Sequence, residues 1–126
     1  MKKHILIVED EEHLAEALAH NLQFEGYSAT VANDGEEGLR LAQTIHPDLI
    51  ILDIMMPKMD GYAVLEELRN NDNTVSIPVI FLTAQAQKKD IMKGIAAGGN
   101  DYVVKPYKFI DLHKKIAHLL GEDPEG

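Results

Sequence analysis

Reactive polar side chains directly follow four short apolar runs of this sequence. In chain order they are an acidic pair, Glu9-Asp10, then Asp53, Thr83 and Lys105. A carboxylate can attack phosphorus as a nucleophile, a hydroxyl can donate a hydrogen bond to a phosphoryl oxygen, and an ammonium group can neutralise another oxygen. Brought together, these residue types predict phosphoryl transfer to a carboxylate, with Thr83 and Lys105 contacting the phosphoryl group.

The three carboxylates need a positive charge among them. Glu9, Asp10 and Asp53 would repel one another strongly at close range, and Lys105 supplies only one positive charge. Mg²⁺ prefers oxygen ligands and commonly binds carboxylates together with phosphate oxygens. We therefore predict Mg²⁺ as the cofactor. Zinc is a poor match, because the chain has no cysteine and no histidine ends an apolar run.

These side chains can meet only if the ends of the four runs lie together. The runs are rich in β-branched residues and are separated by helical patterns, which is typical of buried parallel strands. Parallel strands present their carboxyl ends at one edge of the sheet, where ligands bind in open α/β folds. The alternation predicts an α/β fold, a doubly wound (βα)₅ domain with a five-stranded parallel sheet.

Local signals place the ends of several elements. Gly26 is a plausible end of the first helix, and Asp34 is a plausible N-cap of the second. Pro78 opens the fourth strand, where a missing N–H group is tolerated. Met92 and Ile95 belong to an apolar face of the fourth helix. The chain carries neither of the glycine-rich loops GxxxxGK[ST] and GxGxxG, so ATP bound by this domain is not the expected phosphoryl donor.

Length and composition restrict the class of protein. The 126 residues suffice for one domain, which we predict over residues 3–121, followed by a polar tail over residues 122–126 that is a remnant of a linker or of cloning. The absence of cysteine agrees with a cytoplasmic location. A formal charge of −9 argues against direct contact with nucleic acid. No apolar run approaches the roughly 20 residues that cross a membrane.

Five motifs together resemble the CheY-like receiver domain of bacterial two-component response regulators. The resemblance covers the chain from about Lys3 to Leu120, with the motifs in the family's order and spacing. The motifs are Ile7–Glu11, Leu52–Pro57, Met59–Gly61, Leu82–Ala84 and Asp101–Pro106. The resemblance implies a flavodoxin-like fold with strand order 2-1-3-4-5, and a signalling protein rather than an enzyme.

The resemblance also assigns chemical roles. Asp53 would accept a phosphoryl group from a phosphohistidine on a sensor histidine kinase or a phosphotransfer protein. Glu9 and Asp10 would hold Mg²⁺ together with Asp53 and the backbone carbonyl of Met55. Any chemistry beyond the acceptor's own phosphorylation and dephosphorylation is not expected.

A conformational switch is a further implication of the resemblance. Thr83 and Tyr102 match the family's switch pair, in which the hydroxyl moves toward the phosphate and the aromatic ring turns inward. Lys105 and Pro106 match a peptide bond that is usually cis. The output would reach an output domain or a protein partner through helix 4, strand 5 and helix 5, and phosphorylation-dependent homodimers are a further expectation.

The chain departs from the family pattern at a few positions. Gly99 stands where alanine is usual, and Tyr107 where phenylalanine is commoner. Met55 and Gln85 occupy two positions that tune the rate of phosphate hydrolysis in the family. Ordinary packing is a second, less favoured explanation for an aromatic residue at Tyr102.

Two other functions fit the same class of fold less well. A Mg²⁺-dependent phosphohydrolase with an aspartyl phosphate intermediate is the alternative, but such enzymes of the haloacid dehalogenase type need a second aspartate where this chain has Met55. A flavin-binding electron carrier would need a phosphate-binding loop after the first strand, where Glu9 and Asp10 would repel the phosphate. Whether the domain acts alone or within a longer regulator stays open.

Overall fold

The computed structural model describes residues 2–84 and 88–122. Strands and helices alternate along these residues. The strands are β1 (His4–Val8), β2 (Ser28–Ala32), β3 (Leu49–Asp53), β4 (Val79–Thr83) and β5 (Asp101–Val104). The helices are α1 (Glu12–Phe24), α2 (Gly35–Ile45), α3 (Gly61–Arg69), α4 (Lys88–Ala96) and α5 (Phe109–Leu119). Gln85 and residues 123–126 of the predicted tail lie outside the described residues.

The five strands form one parallel sheet in the order β2-β1-β3-β4-β5. This order confirms the predicted α/β fold class and its strand arrangement. Three of the four strands that carry or precede reactive residues, β1, β3 and β4, are interior strands of the sheet, and β5 forms one edge. Because all strands run in the same direction, their carboxyl ends lie at a common edge of the sheet.

Apolar side chains fill both faces of the sheet, because successive residues of a strand point to opposite faces. One buried cluster joins the sheet to α1 and α5, through Ala15, Leu18, Leu22, Leu112 and Ile116. The other joins it to α2 and α3, through Ala42, Val64, Leu65 and Leu68. Within residues 2–84 and 88–122, no helix has both the length and the apolar character needed to cross a bilayer.

The end signals in the sequence are largely reproduced. Gly26 follows α1 with a φ of 98°, and Oδ1 of Asp34 accepts a hydrogen bond from the backbone N–H of Glu37 at 2.8 Å. The fourth helix differs from the apolar face expected of it. Its Met92 and Ile95 are 58% and 45% exposed, and the residue that α4 buries is a glycine.

That glycine lets α4 approach the sheet closely. A Cβ atom on Gly94 would lie 2.3 Å from Cζ of Phe81, and one on Gly99 would lie 2.6 Å from Cδ1 of the same ring. Phe81 is fully buried on β4, so its ring occupies the space that side chains at both positions would need. Glycine at position 99 is therefore matched to a large aromatic residue on β4.

We expect Gly99→Ala to lower the free energy of unfolding by about 1–3 kcal/mol, because the added methyl group must displace the Phe81 ring in a close-packed core. Urea unfolding measures this loss. In the double variant Phe81→Leu/Gly99→Ala, the smaller side chain leaves room for the methyl group, so the combined loss should be less than the sum of the two single losses. Strict additivity would contradict the proposed contact.

Candidate functional site

Three carboxylates meet where β1 and β3 end. Val8 pairs with Leu52 across these neighbouring strands, so Glu9 and Asp53 leave the sheet at the same edge. Both residues are 3% exposed, whereas Asp10 is exposed. One carboxylate oxygen from each of the three acids lies within 4.8 Å of the other two. The structure thus brings together the acidic residues that the sequence proposes as metal ligands.

An ammonium group bridges two of these acids. Nζ of Lys105 lies 3.0 Å from Oε1 of Glu9 and 2.9 Å from Oδ2 of Asp53. Lys105 directly follows the edge strand β5, and its backbone N–H donates to the carbonyl of Thr83 at 2.8 Å. Its side chain is 24% exposed. The Lys105 side chain therefore extends past β4 and neutralises carboxylates at the ends of β1 and β3, which are not neighbours of β5 in the sheet.

Backbone N–H groups fix the other oxygen of each bridged carboxylate. Oδ1 of Asp53 accepts from the N–H of Met55 at 3.0 Å, and Oε2 of Glu9 accepts from the N–H of Glu11 at 3.1 Å. Each carboxylate is thus held at one oxygen by the loop that follows it and at the other by Lys105. The two carboxylate planes are oriented before any ligand binds. These loop donors were not predicted, because sequence patterns do not reveal individual backbone contacts.

The electrostatics of the site favour an added cation. Burial, together with a hydrogen bond to Asp53, raises the pKa of Glu9 to about 7. Burial by itself would lower the pKa of Lys105, but hydrogen bonds to Asp53 and Glu9 raise it, so the lysine stays charged. Two buried acids and an exposed one therefore share a single positive charge.

The donor set matches a hard divalent cation. Glu9, Asp10 and Asp53 offer only oxygen atoms, which suit Mg²⁺ rather than a metal that prefers nitrogen or sulfur. The exposed position of Asp10 also leaves this side of the site open to hydrated ions. The predicted use of the Met55 carbonyl stays a prediction.

The two predicted switch residues lie on β4 and β5. Thr83 is the last residue of β4 and is 3% exposed, and β4 is hydrogen-bonded to the strand that carries Asp53. Tyr102 lies on β5, with its ring centroid 6.1 Å from that of Phe81. The peptide bond between Lys105 and Pro106 is cis, as the resemblance implies.

Gly61 packs directly on the strand end that carries the central aspartate. A Cβ atom at this position would lie 2.6 Å from the carbonyl oxygen of Asp53 and 2.6 Å from Cα of Ile54. The N–H of Gly61 donates to the carbonyl of Ile54 at 2.9 Å, and Asp60 caps the helix that begins here. Sequence reasoning quoted Gly61 only as part of a motif and missed this close approach.

An apolar cavity opens beside the site. It has a volume of about 440 Å³ and lies between α1 and the turn that follows Lys105. Leu14 and Leu18 line one wall, and Tyr107 and Phe109 line the other. Leu14 is 49% exposed. A partner that reaches Lys105 from this side would meet apolar surface.

Comparisons with known proteins agree with this geometry. The family model described as "Response regulator receiver domain" matches residues 5–117. The chain is similar to the receiver domain of the sensor histidine kinase PA1611 from Pseudomonas aeruginosa, solved with a magnesium ion coordinated in the active site cleft. The TM-score is 0.88 at 33% identity, covering 96% of this chain and 99% of that chain.

Two curated relatives are transcriptional regulators. The chain is 39% identical over 120 residues to the alkaline phosphatase synthesis transcriptional regulatory protein PhoP of Bacillus subtilis, covering 95% of this chain and 49% of that protein. It is 39% identical over 116 residues to the DNA-binding dual master transcriptional regulator RpaA of Synechocystis, covering 92% of this chain and 48% of that protein. The chain spans about half the length of these relatives. By its match over residues 5–117, it belongs to the response regulator receiver domain family.

Proposed function

We propose that this receiver domain accepts a phosphoryl group on Asp53 from a phosphohistidine of a sensor histidine kinase or a phosphotransfer protein. The observation that carries the proposal is the position of Lys105, which contacts Asp53 at 2.9 Å while Glu9 holds the same ammonium group at 3.0 Å. Asp53 ends a central strand with one oxygen already fixed by a backbone N–H. An acceptor held this way needs little reorientation before transfer.

In the transfer, a carboxylate oxygen of Asp53 forms a bond to phosphorus while the phosphorus–nitrogen bond of the phosphohistidine breaks, and the imidazole keeps the electron pair of that bond. Glu9, Asp10 and Asp53 would hold Mg²⁺, with the Met55 carbonyl as a further ligand. When bound, Mg²⁺ would neutralise negative charge on one of the three phosphoryl oxygens. Lys105 neutralises another oxygen, and the hydroxyl of Thr83 donates a hydrogen bond to the third.

The proposed output is a change of conformation. A phosphoryl group adds about 1.5–2 negative charges at neutral pH, and Thr83 can bond to it only when its hydroxyl points toward Asp53. The phosphorylated state then favours this arrangement, and the ring of Tyr102 turns inward behind it. One charge-assisted hydrogen bond contributes about 1.5–3 kcal/mol, less than the roughly 5.5 kcal/mol that moves a population from 1:99 to 99:1. Partner binding would complete the shift.

The partners follow from the same proposal. A kinase or phosphotransfer protein would approach Asp53 past the apolar cavity between α1 and the turn after Lys105. An output domain or protein partner, or a second copy of the chain, would read the surface of α4, β5 and α5. The relatives are about twice as long as this chain and one is DNA-binding by name, so we propose that the domain serves a longer transcriptional regulator. Its own charge of −9 disfavours direct contact with nucleic acid.

Acetyl phosphate tests the proposal. We expect intact-protein mass spectrometry to show one added phosphoryl group when Mg²⁺ is present and none when EDTA removes it. Peptide mapping of the product should locate the group on Asp53. Modification that is equally fast in EDTA would contradict the metal dependence, and a phosphoryl group on another residue would contradict the assignment of the acceptor.

Asp10→Asn should weaken Mg²⁺ binding by about tenfold or more, because a neutral amide replaces one of three carboxylates that face the ion. Asp10 is exposed, so we expect the variant to fold normally. A titration followed by amide chemical shifts near the site measures the affinity. Glu12→Gln, at the first residue of α1, is the matched control and should keep the original affinity. Equal affinity of both variants would refute the role of Asp10.

A further inference from the structure

The ring of Tyr102 lies near a buried aromatic ring and near an ammonium group. On one side is Phe81, whose buried ring has its centroid 6.1 Å away. The other neighbour is the ammonium group of Lys115, which lies 5.4 Å from the centroid of the Tyr102 ring. A cation within about 6 Å of a ring face is attracted by the ring's negative face. The ring of Tyr102 is thus close to both the core and a cation.

Lys115 is itself fixed in this position. Its Nζ lies 3.0 Å from Oδ1 of Asp101, and the same oxygen accepts a hydrogen bond from the backbone N–H of Tyr102 at 2.8 Å. Asp101 therefore joins the backbone of the tyrosine to the ammonium group that covers its ring. The preceding lysine, Lys114, is exposed on α5.

The contact crosses the edge of the sheet. Lys115 belongs to α5, whose Leu112 and Ile116 pack into the core on one face. Tyr102 packs against the core on the other face, beside Phe81. Because β5 is an edge strand, a long side chain from α5 can reach around it.

We propose that Lys115 is a positioning residue that holds Tyr102 in the orientation seen here, and that phosphorylation moves the ring out of this orientation. The inference rests on the switch role of Tyr102 in the proposed function. The attraction between the ammonium group and the ring exists only while the ring faces Lys115, so it stabilises one orientation and not the other. Phosphorylation then has to overcome this contact.

The test uses the protein labelled with 3-fluorotyrosine. The chain has four tyrosines, so ¹⁹F NMR should show four signals, and Tyr102→Phe identifies the one that belongs to position 102. Spectra are recorded for Lys115→Met, Lys115→Arg and the control Lys114→Met. Each is measured first without a phosphoryl donor and then with acetyl phosphate and Mg²⁺.

Without a donor, Lys115→Met should move the Tyr102 signal toward its position in the phosphorylated protein. The expected change in the orientation equilibrium is about two- to fivefold, the size of one exposed cation–π contact. Lys115→Arg keeps the charge and should retain the original signal, as should Lys114→Met. An unchanged signal in Lys115→Met, or an equal shift in Lys114→Met, would overturn the proposal. So would a shift that depends on protein concentration, because Lys115 would then act between copies of the chain.

The two proposals fail separately. If acetyl phosphate adds no phosphoryl group, the proposed function is wrong, while the donor-free spectra still decide whether Lys115 orients Tyr102. If phosphorylation proceeds and moves the Tyr102 signal equally far in every variant from an identical starting position, only the role of Lys115 is wrong.

Discussion

Asp53→Asn should carry no phosphoryl group after incubation with acetyl phosphate and Mg²⁺. The amide has nearly the shape of the carboxylate but lacks the negative charge that makes it a nucleophile toward phosphorus. Its oxygen can still accept the hydrogen bond that the N–H of Met55 now donates to Oδ1, so the loop should keep its conformation. We therefore expect a complete loss of modification in a folded protein, measured by intact mass.

The control for this variant is another aspartate replaced in the same way. Asp72 is exposed in the connection between α3 and β4, and Asp72→Asn should be phosphorylated as fast as the unaltered chain. Circular dichroism should give the same helix content for both variants. A phosphoryl group that persists in Asp53→Asn would move the acceptor to another residue and remove the basis of the proposed function.

Lys105→Met should lower the free energy of unfolding in EDTA by about 2–3 kcal/mol. The substitution leaves Glu9 and Asp53, each 3% exposed, without their shared cation. Removing one partner of a buried ion pair costs about 3–5 kcal/mol, and the 24% exposure of the lysine side chain moves the expected loss below that range. Urea unfolding followed by circular dichroism measures the difference.

Mg²⁺ distinguishes this electrostatic effect from lost packing. A divalent ion among the acids supplies the missing positive charge, so millimolar Mg²⁺ should recover most of the stability that Lys105→Met loses. Lys114→Met, an exposed lysine on α5, should change the stability little under either condition. A loss that Mg²⁺ does not reduce would mean that the methylene groups of Lys105, rather than its charge, stabilise the fold.

The arrangement of the sheet could be predicted because its signals are local. Apolar runs of about four residues, each followed by a polar group, indicate buried parallel strands, and the strand order then brings their ends together. Residues as distant in the sequence as Glu9 and Lys105 are joined for this reason. The cap at Asp34 and the turn at Gly26 likewise depend on properties of single residues.

Other features depend on contacts that no pattern encodes. The exposure of Met92 and Ile95 follows from the close approach of Gly94 to Phe81. The apolar residues of α4 therefore did not indicate which face of this helix is buried. The raised pKa of Glu9 depends on its final burial beside Asp53. Neither the exposure of Met92 and Ile95 nor the pKa of Glu9 follows from the hydropathy and spacing of the residues in the sequence.

The strand order has a dynamic consequence for the site. The buried acids Glu9 and Asp53 lie at the ends of the interior strands β1 and β3. Lys105 instead follows β5, an edge strand that is hydrogen-bonded to β4 alone in the sheet. Local opening of a weakly held edge strand costs less free energy than opening of a strand in the core. Brief local opening of β5 would move the Lys105 ammonium group away from Glu9 and Asp53, which would stay in place. Another cation could then replace the ammonium group without global unfolding.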